Sequence, residues 1–134
     1  MSSIDTIEGI GIQNARKLRK AGIRTTEALL KRAGTRKGRR HLSEEIKVTE
    51  KLVLEWVNRA DLMRVRGIGE EYSDLLEEAG VDTVKELRRR NPDSLLAKMI
   101  ETNGTKGLVR RLPTAAMVER WVEHAKELPE AVSH

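Results

Sequence analysis

Laid against itself, the 134-residue chain repeats, and this restricts the fold more than any other feature of the sequence. A shift of 58 residues sets Ile7-Glu8-Gly9-Ile10-Gly11 on Val65-Arg66-Gly67-Ile68-Gly69. The same shift sets Leu18 on Leu76, Ala21-Gly22-Ile23 on Ala79-Gly80-Val81, Thr25 on Thr83 and Leu29 on Leu87. Further along, a shift of 65 places Leu52, Val53, Trp56, Val57 and Ala60 on Met117, Val118, Trp121, Val122 and Ala125, so the second copy carries about seven additional residues. Both of these apolar sets have the spacing i, i+1, i+4, i+5, i+8 of an amphipathic helix. Disorder does not produce such a stripe, although apolar residues make up only 38% of the chain.

The punctuation in each copy defines helices. Gly22 and Gly80 end helical stretches and precede an apolar residue, as left-handed glycine caps do. Thr25, Thr49, Thr83 and Thr114 stand where N-caps belong, Thr83 and Glu86 have capping-box spacing, and Asn91-Pro92 reads as a cap followed by proline at the first helical position. No segment alternates with the two-residue period of a strand. The expected fold class is therefore all-α, with about nine or ten short helices. The helix of Trp56 runs on toward the second Gly-Ile-Gly, so the two halves, 1–62 and 63–134, are expected to share a continuous helix and to pack as one compact body.

Composition removes several functions. Cysteine is absent, so disulfides, thiolate metal sites and cysteine nucleophiles are excluded together. His41, His124 and His134 fall in no metal-ligand spacing, and no metal or cofactor is expected. With Trp56, Trp121 and Tyr72 as its three aromatics, the chain lacks the stacking platforms of single-strand binders. The tryptophans occupy equivalent stripe positions and read as core anchors, Tyr72 as partly exposed, and His41 and His124 as surface residues. There is no phosphate-cradling P-loop, no paired carboxylates beside a base, and no nucleophile with a partner histidine; neither an enzyme nor a small-molecule substrate is expected. No apolar run approaches the roughly 20 residues of a membrane span and no signal region follows Met1, so the expected setting is cytoplasmic and away from membranes.

The stretches IEGIGIQNARKLRKAGI and VRGIGEEYSDLLEEAGV resemble the helix-hairpin-helix motif: Gly-apolar-Gly, a small residue at Ala15 or Ser73 where two helices cross, and a helix ending Ala-Gly-apolar. From about Ile7 to Leu128 the chain is also similar to an uncharacterised bacterial family of tandem helix-hairpin-helix proteins of unknown function, a likeness carried by WVNRADLMRVRGIGEEYSDLLEEAGVDTVKEL and RRLPTAAMVERW. The resemblance implies two tandem (SAM-like) repeats of about five short helices each. It also implies sequence-independent binding to the DNA backbone, because glycines let a hairpin approach a phosphate and free amides at a helix start point at the anion.

On that reading Gly9, Ile10 and Gly11 supply the backbone surface of the first hairpin, with Gln13 and Asn14 as neutral donors. Arg16, Lys17 and Lys20 lie on the arc away from Ile12, Ala15 and Leu18. The segment 31–40, with Arg36, Lys37, Arg39 and Arg40, contains no acid, and its glycines suggest an exposed basic loop beside the first hairpin. The second hairpin, Gly67, Ile68 and Gly69, is followed by Glu70 and Glu71, whose carboxylates compete with a phosphate for the same amides; it reads as structural or protein-binding. Residues 1–62 hold 14 basic and 8 acidic residues, a balance of +6, and residues 63–134 hold 12 and 13, a balance of −1. A polyanion is thus expected at the first half. The alternative is a protein-interaction adaptor that uses the repeats as a rigid scaffold.

Overall fold

Side-chain caps set where most of the helices begin. In the computed structural model, which describes residues 2–134, a 3-10 turn Ile4–Thr6 is followed by α1 Gly11–Lys20, α2 Thr26–Ala33, α3 Arg36–Ile46 and α4 Glu50–Leu62. Then come α5 Glu70–Glu78, α6 Val84–Leu87, α7 Pro92–Lys106 and α8 Ala115–Glu127. No strand occurs among the described residues; one isolated bridge pairs Ser3 with Thr25. Thr25, Thr35, Thr49, Thr83, Asn91 and Thr114 each accept, through the side-chain oxygen, the amide of the residue three further on, at 3.0–3.3 Å. Each such bond satisfies one of the orphan donors of a first turn and contributes about 1 kcal/mol. Glu86 accepts the Asp82 amide from the start of α6, one residue beyond the Thr83 amide that a true capping box would use.

The glycine caps form as the spacing requires. Gly22 and Gly80 sit at φ +86° and +96°, a region that costs other residues strain. Gly22 N–H donates to Arg19 O and Ile23 N–H to Leu18 O; 58 residues on, Gly80 N–H donates to Glu77 O and Val81 N–H to Leu76 O. The correspondence extends to Ile10 N–H on Ile7 O with Ile68 N–H on Val65 O, and to Leu29 N–H on Thr25 O with Leu87 N–H on Thr83 O. The additional residues of the second half fall in a longer α7 and in the 107–114 connection.

The structure resolves into two compact units, each with its own core. The first comprises residues up to Asp61 together with Ala131–His134; the second is Leu62–Glu130. The division differs from a simple halving of the sequence, because residues 131–134 return to the first unit. In the first unit Ile4, Ile7, Ile10, Leu18, Leu29, Leu42, Val53 and Trp56 enclose a core that Val132 also enters. In the second, Leu75, Leu76, Leu87, Leu95, Met99, Val118 and Trp121 do the same. Helix α4 supplies Val53, Trp56, Val57 and Ala60 to the first core and its last residue, Leu62, to the second. Both tryptophans are buried, as their stripe positions require, and truncating either to alanine costs about 3–5 kcal/mol.

Residues 131–134 form a strap on the corner between α2 and α3. Ser133 N–H donates to Gly34 O at 2.9 Å, and the Ala131 carbonyl oxygen lies 2.4 Å from where a β-carbon on Gly34 would sit. Only glycine admits the strap at that distance. The preceding residues are anchored in the second unit: Arg64 donates to Pro129 O at 2.7 Å and Arg88 binds Glu130 at 2.8 Å.

Candidate nucleic-acid interface

The first Gly-Ile-Gly presents backbone because its middle residue is pulled inward. Ile10 is buried in the core, while Gly9 and Gly11 are exposed at φ +77° and +76° with no atom near the position of a β-carbon. Helix α1 starts at once on Ile10 as N-cap, a side chain with no acceptor, so no side chain caps its first turn. The same holds for α5, which starts from Gly69. Among the described residues, the two α-helices that follow a Gly-Ile-Gly are the two that lack a side-chain cap.

Gln13 is exposed at the start of α1 and Asn14 half-buried. Arg16, Lys17 and Lys20 are exposed and make no ion pair among the described residues, whereas Arg19 is bound to Asp5. Ile12 departs from expectation. It does not continue the buried arc of Ala15 and Leu18 but is 75% exposed.

The second hairpin is furnished differently. Gly67 has φ +92°, but Gly69 is extended at φ −108°. Gly67 lies against Trp121, whose Nε1 is 3.0 Å from the position of an added β-carbon. His124, expected on the surface, is half-buried, and its Nδ1 accepts the Arg66 amide at 3.0 Å, so the approach to this hairpin is already hydrogen-bonded. Tyr72 is half-buried, tilted 54° against Trp121 at 5.1 Å, and donates to Arg111 O. Glu70 and Glu71 are exposed in the first turn of α5, and Glu78 is bound by Lys106 at 2.5 Å.

The basic segment 31–40 is not the exposed loop its glycines suggest. Helix α2 runs to Ala33 and α3 begins at Arg36, leaving two residues between them. Gly34 serves close approach of the strap, and Gly38 lies in the first turn of α3, where a β-carbon would meet Arg32 O at 2.3 Å. Arg39, placed by the sequence among the DNA-contacting cations, is 5% exposed. Its guanidinium donates to Ala33 O, Gly34 O and Ser133 O at 3.3, 3.0 and 2.6 Å, so it is committed to backbone carbonyls. Burial lowers its pKa, the charge of Arg36 adds to that, and Glu50 opposes it. A signal for this was present: Arg39, Leu42, Ser43 and Ile46 fall at i, i+3, i+4, i+7 and form the buried stripe of α3.

Arg36, Lys37 and Arg40 remain exposed and, with Glu50, line a cavity of about 540 Å³; none makes an ion pair among the described residues. Lys17 and Lys20 meet Lys47 and Glu45 around a second cavity of about 320 Å³ at the other end of α3. Two groups of unpaired cations in the first unit, Lys17 with Lys20 and Arg36 with Lys37 and Arg40, thus lie at opposite ends of the 11 residues of α3, or about 16 Å of helix. The cations at the start of α3 share their cavity with α4 rather than with the hairpin. In the second unit Lys85, Arg88, Lys106 and Lys126 are ion-paired, while the exposed Arg66, Arg89, Lys98, Arg110, Arg111 and Arg120 make no ion pair among the described residues.

Among the described residues no helix is long and apolar enough to cross a membrane, and no group of His, Asp and Glu is arranged to hold a metal ion. No curated protein and no solved structure shows significant similarity to the chain. A family profile does match, over residues 8–128, nearly the whole length. The chain belongs to the family described as Domain of unknown function (DUF4332).

Proposed function

We propose that this protein is a non-enzymatic module that binds duplex or structured DNA without reading its sequence, through the first Gly-Ile-Gly hairpin, the cations of α1 and the start of α3. The observation that carries the reading is the pattern of helix starts. Six α-helices are capped by Thr or Asn, and the two that follow Gly-Ile-Gly have no side-chain cap. Amides without a protein acceptor, beside glycines that leave room for close approach, are the chemistry that receives a phosphate. The matched backbone bonds 58 residues apart support reading the two hairpins as helix-hairpin-helix repeats.

Charge selects the first hairpin over the second. Arg16, Lys17, Lys20, Arg36, Lys37 and Arg40 are exposed and unpaired, and a duplex phosphate gains from each of them. In the second, Glu70 and Glu71 occupy the first turn of α5, where they interact with the helix dipole in place of an incoming anion. Those exposed carboxylates favour a second reading, a protein-interaction adaptor whose acidic α5 meets a basic partner.

Fluorescence anisotropy with duplex, branched and single-stranded oligonucleotides tests the first reading. With about four phosphates engaged, log affinity falls against log salt with a slope near −3.6, equally for unrelated sequences. Absence of salt-sensitive binding below about 100 μM overturns it, since non-specific binders do better at physiological salt. Capture of a protein that survives nuclease, and is lost on changing Glu70 and Glu71 to Gln, favours the adaptor.

A further inference from the structure

The least expected side chain on the surface is Ile12. Six of the eight isoleucines, at 4, 7, 10, 23, 46 and 68, are buried to 7% exposure or less, while Ile12 stands 75% exposed. The fold does not call for an apolar residue there: 58 positions later the same place, the residue after the second glycine, is held by the exposed Glu70. An exposed isoleucine adds nothing to the core and carries a hydration cost. Gly9 and Gly11 leave the space beside it open, and the exposed, unpaired Arg16 follows one turn on, at i+4 on the same side of the helix. A partner complementary to this tip is a polyanion with an apolar surface between its charges.

Building on the DNA-binding reading, we propose that Ile12 is the residue that makes this module prefer DNA to RNA, by resting on the deoxyribose edge of the duplex minor groove between phosphates held by the uncapped amides at the start of α1 and by Arg16. The sugars are the apolar part of that groove wall, and small aliphatic side chains are used against the minor groove elsewhere. In an RNA duplex the same edge displays 2′-hydroxyls across a wide, shallow groove. Seating Ile12 there desolvates a hydroxyl without giving it a partner. Phosphate contacts are common to both duplexes, so the discrimination belongs to the apolar contact alone.

The test measures the full chain against DNA and RNA duplexes of identical sequence, over a salt series, for the wild type, Ile12→Ser and Ile12→Leu. The wild type binds DNA about tenfold more tightly than RNA, a contrast appropriate to partial burial of one aliphatic side chain. Ile12→Ser loses that advantage by weakening DNA binding at an unchanged salt slope, and Ile12→Leu keeps it. Circular dichroism of the variants matches the wild type, because the side chain is outside the core. A wild type that binds both duplexes equally, or an Ile12→Ser variant that retains the preference, overturns this proposal and leaves the DNA-binding reading standing. A wild type that binds neither duplex overturns both. Binding to vesicles containing phosphatidylserine, abolished by Ile12→Ser and without binding to duplex, assigns Ile12 to a membrane surface and also overturns it.

Discussion

The guanidinium of Arg39 donates to the carbonyl of Ser133 at 2.6 Å, across 94 residues of sequence. The same group holds Ala33 O and Gly34 O, so one buried cation joins the end of α2, the start of α3 and the strap. Removing it takes this donor from Ala33 O and Ser133 O, while Gly34 O keeps the Ser133 amide, and a carbonyl left buried and unsatisfied costs about 1–3 kcal/mol. Arg39→Ala is expected to destabilise the first unit by about 3 kcal/mol or more. Arg36→Ala, Lys37→Ala and Arg40→Ala, on the same helix but exposed, stay within about 0.5 kcal/mol of the wild type. Urea denaturation followed by Trp56 fluorescence in a Trp121→Phe background separates the two cases.

Gly34 and Gly104 make an opposed pair. A β-carbon on Gly34 would sit 2.4 Å from the Ala131 carbonyl oxygen, so Gly34→Ala must displace the strap, and a loss of about 2 kcal/mol is expected. Gly104 lies inside α7 with nothing near its β-carbon position. There, Gly104→Ala raises stability by about 0.5–1 kcal/mol through helix propensity. Thermal melts of the two variants are expected to move in opposite directions.

The missing cap of α5 can be supplied. Gly69 has extended backbone angles, φ −108° and ψ −157°, and open space around it, so Gly69→Asp can place an acceptor on the first turn. The expected gain is a few tenths of a kcal/mol, the difference between a glycine and an aspartate cap, reduced by the nearby Glu70 and Glu71. If the first hairpin is the one that meets DNA, duplex affinity is unchanged. A loss of affinity beyond about threefold would assign a phosphate contact to the second hairpin.

The two cation groups of the first unit are separable by salt dependence. Replacing Arg36, Lys37 and Arg40 together with Ala makes the log–log salt slope shallower by about 0.9 for each that touches a phosphate. The loss is uniform across sequences, since backbone contacts carry no base information. A triple variant with the wild-type slope and affinity restricts binding to the α1 end of the unit.

Helix boundaries were largely legible in the sequence because they depend on local chemistry. Thr83, Asn91 and Thr114 cap the helices their spacing predicts, and Gly22 and Gly80 take left-handed angles because a helix ends there whatever lies beyond it. Periodicity alone puts Trp56 and Trp121 in the core, where both are buried. What escaped depends on distant chain. Arg39 looks like its basic neighbours until a strap from residue 131 onward covers it, and Gly34 reads as a loop glycine until that strap lies against it. His124 gave no sign of binding the Arg66 amide, 58 residues away. Residue type alone puts Ile12 on the apolar arc, whereas its exposure follows from its place in the first turn, ahead of the point where α1 meets the core.

The strap also sets an order of events during synthesis. Residues 62–130 contain everything their own core needs, whereas the first unit, although made earlier, lacks Val132 and the partner of Arg39 until residues 131–134 have left the ribosome. Domains ordinarily fold from the N-terminus as they emerge. Here the N-terminal unit closes its α2–α3 corner only after the whole of the second unit has been synthesised, because residues 131–134 follow that unit in the chain.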